Sequence, residues 1–198
     1  MSLIPEILGK NRALAFTPYF PVVLQGASGV GRSALALHLH LNKFVPRWDP
    51  TIEDEYSVIL EENNESQVWR VRDARSKSEF VGAKVFERDN AAGILLVYCV
   101  DCRHSFNHAA NDLAAITESH PNKPVVIVGN KCDLEDKRVV TTRELEQLAL
   151  RYQVPFVETS AKLSINIQEM AKLLSKELKN AGIRPQLGYT KENKCIIN

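Results

Sequence analysis

Gly26-Ala27-Ser28-Gly29-Val30-Gly31-Arg32-Ser33 decides the fold of this chain. It has the spacing of a phosphate-binding loop, G-x-x-x-x-G-K-[ST], with Arg32 where that pattern carries lysine. The apolar run Val22-Val23-Leu24 leads in and a helical run from Ala34 to Leu41 leads out, the strand–loop–helix order that such a loop requires. Glycines let backbone N–H groups approach phosphate oxygens, and the following helix N-terminus favours their negative charge. The candidate phosphate contacts are Gly26, Ser28, Gly29, Val30, Gly31, Arg32, Ser33 and Ala34, with the Ser33 hydroxyl placed to reach Mg²⁺. Arg32 keeps the charge of the lysine but not its shape. A misplaced charge-assisted contact costs ~1.5–3 kcal/mol, about 10–150-fold in affinity.

Outward from this loop, the 198 residues read as one domain with an N-terminal extension over 1–18 and a flexible tail over 182–198. A net charge of +1 gives no sign of a nucleic-acid partner. No window reaches the ~18 apolar residues of a membrane span, and the N-terminus lacks the pattern of a signal peptide. The Met-Ser start argues against N-myristoylation. Four cysteines suggest no disulfide framework, so a reduced, cytoplasmic setting is expected. Cys99 and Cys102 form a lone C-x-x-C, readable as a zinc or redox pair or as ordinary packing.

Between the ends, strand and helix patterns alternate. Residues 55–61 and 66–73 flank the turn Glu62-Asn63-Asn64-Glu65 as an antiparallel hairpin. The runs 94–100 and 125–128 are continuous and apolar, as parallel strands buried on both faces should be, and 154–158 reads as a shorter strand of the same kind. Helical patterns occupy 105–119, 142–152 and 165–179, and Thr141 with Glu144 forms a capping box. This is an α/β fold, a mostly parallel sheet covered on both faces.

Asn130-Lys131-Cys132-Asp133 follows the buried strand directly. A carboxylate at Asp133 can accept from guanine's N1–H and exocyclic amine together, a donor pair that adenine lacks. The Lys131 stem can lie over the base, and Asn130 can tie neighbouring loops together. Ser160-Ala161-Lys162, after the next strand, would place a backbone N–H at the guanine oxygen. A kinase or ATPase reading would need adenine-site features that are not found.

With these motifs in this order, residues 19–181 resemble the Ras family of small GTPases. The resemblance implies a P-loop G domain with a six-stranded sheet, binding GTP/GDP with Mg²⁺. It implies that Phe44 packs on the guanine edge and that Thr51, with Ser33 and Asp73, serves the metal. Asp49, Thr51, Ile52, Glu53, Asp54 and Tyr56 look like the segment that engages Ras-type effectors by strand addition. Exchange factors are further expected partners. Where the family has D-x-x-G followed by Gln, this chain has Asp73-Ala74-Arg75-Ser76-Lys77. Ser76 replaces the glycine whose N–H approaches the γ-phosphate, and Lys77 replaces the glutamine that orients water. Ser28 stands at a position that is usually glycine. No catalytic residue is intact by this comparison, and slow hydrolysis is expected. Arg75 and Lys77 could instead hold the γ-phosphate from their side.

The last four residues, Cys195-Ile196-Ile197-Asn198, form a C-a-a-X box. One prenyl chain on Cys195 gives marginal anchoring, so reversible association with the cytoplasmic face of a membrane is expected. The reading is a prenylated guanine-nucleotide switch with slow turnover. The alternative is a pseudo-GTPase that binds Ras effectors or regulators without nucleotide, which the changes at Arg32 and Ser76 favour.

Overall fold

The computed structural model describes residues 16–46, 55–62, 65–73 and 88–189. Strand β1 (Phe16–Gly26) feeds helix α1 (Arg32–Leu41). The hairpin follows as β2 (Glu55–Glu62) and β3 (Glu65–Asp73), then β4 (Gly93–Cys99), α2 (Arg103–Ser119) and β5 (Val125–Asn130). A 3₁₀ turn (Glu135–Lys137) precedes α3 (Thr142–Tyr152), β6 (Phe156–Glu158), α4 (Ile167–Asn180) and β7 (Gln186–Tyr189). The sheet runs β2-β3-β1-β4-β5-β6, parallel except for the β2–β3 hairpin. It is the α/β architecture expected from the alternating runs.

The continuous aliphatic strands are explained by burial on both faces, since successive side chains point opposite ways. Val22, Leu24, Leu95, Val97, Val126 and Val128 meet Leu35 and Leu39 of α1 and Met170, Leu174 and Leu178 of α4 in one core cluster. Val23, Ile94, Leu96, Tyr98 and Ile127 meet Phe106, Leu113 and Ile116 of α2 and Leu145 of α3 in the other. The capping box is present: Thr141 Oγ1 accepts from Glu144 N at 3.3 Å, and Thr141 N donates to Glu144 Oε2 at 2.9 Å. Arg103 Nη1 also bonds Glu144 at 2.6 Å and leads the causes that hold this carboxyl down at about 2.

Two features depart from the expected limits. β1 begins at Phe16, inside the stretch read as an extension, and the stretch read as a tail contains a seventh strand. β7 pairs antiparallel with the first part of β1, Thr17 opposite Gly188 and Tyr19 opposite Gln186. The reversal starts past α4, where Gly182 sits at φ 64 and Ile183 N returns to Leu178 O at 3.0 Å. Glycine takes that left-handed conformation without steric cost, as helix ends often require. The Arg70 guanidinium lies 3.8 Å from the centre of the Tyr19 ring, and Gly188 packs against both. A Cβ at Gly188 would stand 2.6 Å from Tyr19 Cε1. Gly188→Val is therefore expected to loosen β7 and lower stability by about 1–2 kcal/mol. Urea unfolding measures this, together with faster proteolysis after residue 182.

The C-x-x-C cysteines, like Cys132, are free thiols. Cys99 is buried with Sγ 3.5 Å from Ser105 Oγ, and burial pushes its thiol up to about 11, a poor state for a ligand or nucleophile. Among the described residues no helix is long and apolar enough to cross a membrane.

Candidate functional site

The C-terminal ends of β1, β3 and β5 and the loop after β6 converge on one end of the sheet, where ligands of open α/β sheets bind. The phosphate loop joins β1 to α1. Gly31 has φ 96, and a Cβ there would stand 2.4 Å from Asn130 Nδ2, so the position admits glycine alone. The approach is needed because Asn130 Nδ2 donates to Val30 O at 2.9 Å. Asn130 Oδ1 accepts from Thr159 Oγ1 at 3.2 Å and from Ala161 N at 3.4 Å. One buried amide thus ties the phosphate loop, the end of β5 and the loop after β6.

Asp133 sits beyond that amide, and its Oδ1 accepts from Ser160 Oγ at 2.5 Å. Ser160 Oγ in turn accepts from Leu163 N at 3.0 Å, which fixes the hydroxyl's direction. Cys132 N bonds Thr159 O at 3.0 Å, locking the two loops backbone to backbone. Lys131, at φ 63, is half-buried at the turn between them, and Lys162 is exposed. A support that the sequence did not reveal is His38, buried on α1, whose Nδ1–H donates to Ala161 O at 3.1 Å. An imidazole on an apolar helix carries no local signal of this role.

Arg32 departs most from expectation. Its side chain folds back beneath the loop, leaving the residue 8% exposed. Nε pairs with Asp73 Oδ1 at 2.8 Å, and Nη1 donates to Ala27 O at 2.6 Å and to Gly26 O. Ser33 Oγ donates to Asp73 Oδ2. Asp73, at the end of β3 and 4% exposed, therefore has both carboxylate oxygens engaged. Ser33 and Asp73 do come together as a pair of oxygen donors. As arranged, however, they do not fit Mg²⁺, because the ion would need oxygens that the guanidinium and the hydroxyl already hold.

Phe44 is half-buried against the core cluster around α1. Tyr56 is buried on β2, so its ring is not on the outer surface, whereas Glu55, Ser57 and Ile59 are exposed. Among the described residues, β2 is an edge of the main sheet. Ser28 is exposed at the tip of the phosphate loop, while Ala34 is half-buried. Asp49, Thr51, Ile52, Glu53, Asp54, Arg75, Ser76, Lys77 and Cys195 lie outside the described residues.

Residues 21–180 match the Ras family. This chain belongs to the Ras family. It is 33% identical over 177 residues to the Ras-like protein rasB of Dictyostelium discoideum, an alignment covering 88% of this chain and 89% of that protein. Ras-family proteins are small GTPases and signalling switches that bind GTP or GDP with Mg²⁺ and engage effectors and regulators. The convergence of phosphate loop, Asn130, Asp133 and Ser160 occurs in this chain on a Ras-family scaffold.

Proposed function

We propose that this Ras-family protein is a guanine-nucleotide switch with very slow GTP turnover. The supporting observation is the assembled base-reading end, with Asp133 oriented by Ser160 and both loops tied to the phosphate loop by Asn130. Lys131 and Lys162 flank the base, Phe44 covers the edge, and Ala161 N shares its donor between Asn130 Oδ1, 3.4 Å away, and the guanine oxygen. Gly26 and Ser28–Ala34, Arg32 among them, cradle the phosphates. Effectors add a strand at the edge formed by β2, reading the segment from Asp49 to Tyr56 mainly through backbone bonds. A prenyl group on Cys195 gives weak, reversible attachment to the cytoplasmic face of a membrane.

Slow turnover follows from side-chain chemistry. A protonated lysine at 77 has donors but no acceptor with which to orient water, and a Cβ at Ser76 restricts the backbone approach to the γ-phosphate. Ser28 adds bulk at the loop tip. In single-turnover assays, Ser76→Gly with Lys77→Gln is expected to raise hydrolysis by about tenfold or more over the wild type. Equal rates in the two proteins would remove the basis of this reading.

The Arg32–Asp73 pair favours the second reading, a pseudo-GTPase that engages effectors or regulators without nucleotide. A loop whose carbonyls and carboxylate are satisfied from within stands without a ligand.

A further inference from the structure

We propose that the guanidinium of Arg32 is the resident cation of the phosphate loop, taking the place of a divalent ion at Asp73 and Ser33, so that guanine nucleotide is held without metal. The inference rests on the nucleotide-binding reading above. It starts from the carboxylate: Asp73 Oδ1 is 2.8 Å from Arg32 Nε, and Oδ2 accepts from Ser33 Oγ. With the two residues 8% and 4% exposed, solvent and salt screen the pair weakly. A divalent ion would have to displace the guanidinium and then remain beside a positive charge tethered to the carbonyls of Gly26 and Ala27.

Geometry separates this residue from a lysine. Lysine brings one nitrogen, so once it meets a phosphate oxygen, Asp73 is left for a metal to neutralise. Arginine brings five N–H donors on three nitrogens. Three are used, one on Nε for Asp73 and two on Nη1 for Gly26 O and Ala27 O. The two on Nη2 make no hydrogen bond among the described residues, which leaves them for phosphate oxygens. One side chain thereby serves both the carboxylate and the phosphate.

The test measures the affinity of the full chain for a fluorescent GDP analogue in millimolar Mg²⁺ and in excess EDTA, with Arg32→Lys alongside. Removing the metal is expected to change wild-type affinity by less than about threefold and that of Arg32→Lys by at least about tenfold. The same metal dependence in both proteins, large or small, overturns the proposal. A second measurement needs no nucleotide: Mg²⁺ is titrated onto empty wild type and Arg32→Gln while Tm is read. Mg²⁺ should raise the Tm of Arg32→Gln, in which Asp73 has lost its partner, and leave wild type unchanged. An equal response in both overturns the assignment. Wild type that binds no GDP in either buffer but meets the melting expectation defeats the nucleotide reading while upholding the cation role.

Discussion

Asp133→Ala is expected to lower the affinity for GDP and GTP by about 10²–10⁴-fold while leaving the fold intact. In the proposed site the Asp133 carboxylate is the group, among the described residues, that can accept from two guanine donors at once. Each such charge-assisted bond contributes about 1.5–3 kcal/mol, so two lost together give about 3–6 kcal/mol. Stability should change little. Ser160 Oγ loses Asp133 as acceptor but still accepts from Leu163 N at 3.0 Å, and the Cys132 N to Thr159 O bond is untouched. Titration with a fluorescent GDP analogue and a melting curve on the same sample separate the two effects. Affinity within about threefold of wild type would mean that the base is recognised elsewhere.

Arg32→Ala is expected to destabilise the nucleotide-free chain by about 3–5 kcal/mol, because it leaves the Asp73 carboxylate buried and unpaired. For a chain of this size, that is a fall in Tm on the order of 6–20 °C. The carbonyls of Gly26 and Ala27 lose their donor in the same step. Two companion variants give the effect its cause. Arg32→Lys retains a cation and should fall much less. Arg32→Ala with Asp73→Ala removes both charges and should recover much of the loss, since breaking a buried pair costs more than deleting it. A single variant that melts within about 2 °C of wild type would show that Asp73 is compensated by other groups.

Much of the fold was legible because its signals are local. Ile94 to Val100 and Val125 to Val128 are aliphatic without alternation, and both runs are buried on two faces. Thr141 and Glu144 lie three positions apart and cap α3 as that spacing implies. β7 was not legible: Gln186-Leu187-Gly188-Tyr189 is four residues long, too short for its alternation to stand out beside the turn formers Gly182, Pro185 and Gly188. Its partner is the start of β1, some 170 residues earlier, so it depends on tertiary pairing. Gly182 marks the reversal but says nothing about where the chain goes next.

The candidate site divides in the same way. Asn130, Asp133 and Ser160 were identified by their order after buried strands, and the structure brings them together with the phosphate loop. At Arg32 the departure from lysine was visible, but its consequence was not. Reaching Asp73 depends on side-chain length and on β3 lying beside β1, a contact across 41 residues of sequence. Ser33 was read as a metal ligand, and in the structure its hydroxyl is turned to Asp73. His38 gave no sign because its role is a single hydrogen bond to a backbone carbonyl.

The most direct test of the central claim is the nucleotide content of the purified protein, read by chromatography after mild denaturation. Near-stoichiometric guanine nucleotide with a substantial share as GTP is the predicted result, for it would report both binding past Arg32 and slow turnover. A folded protein that comes out empty, and whose Tm does not rise with added GDP or GTP, would contradict it and leave the nucleotide-independent reading in its place.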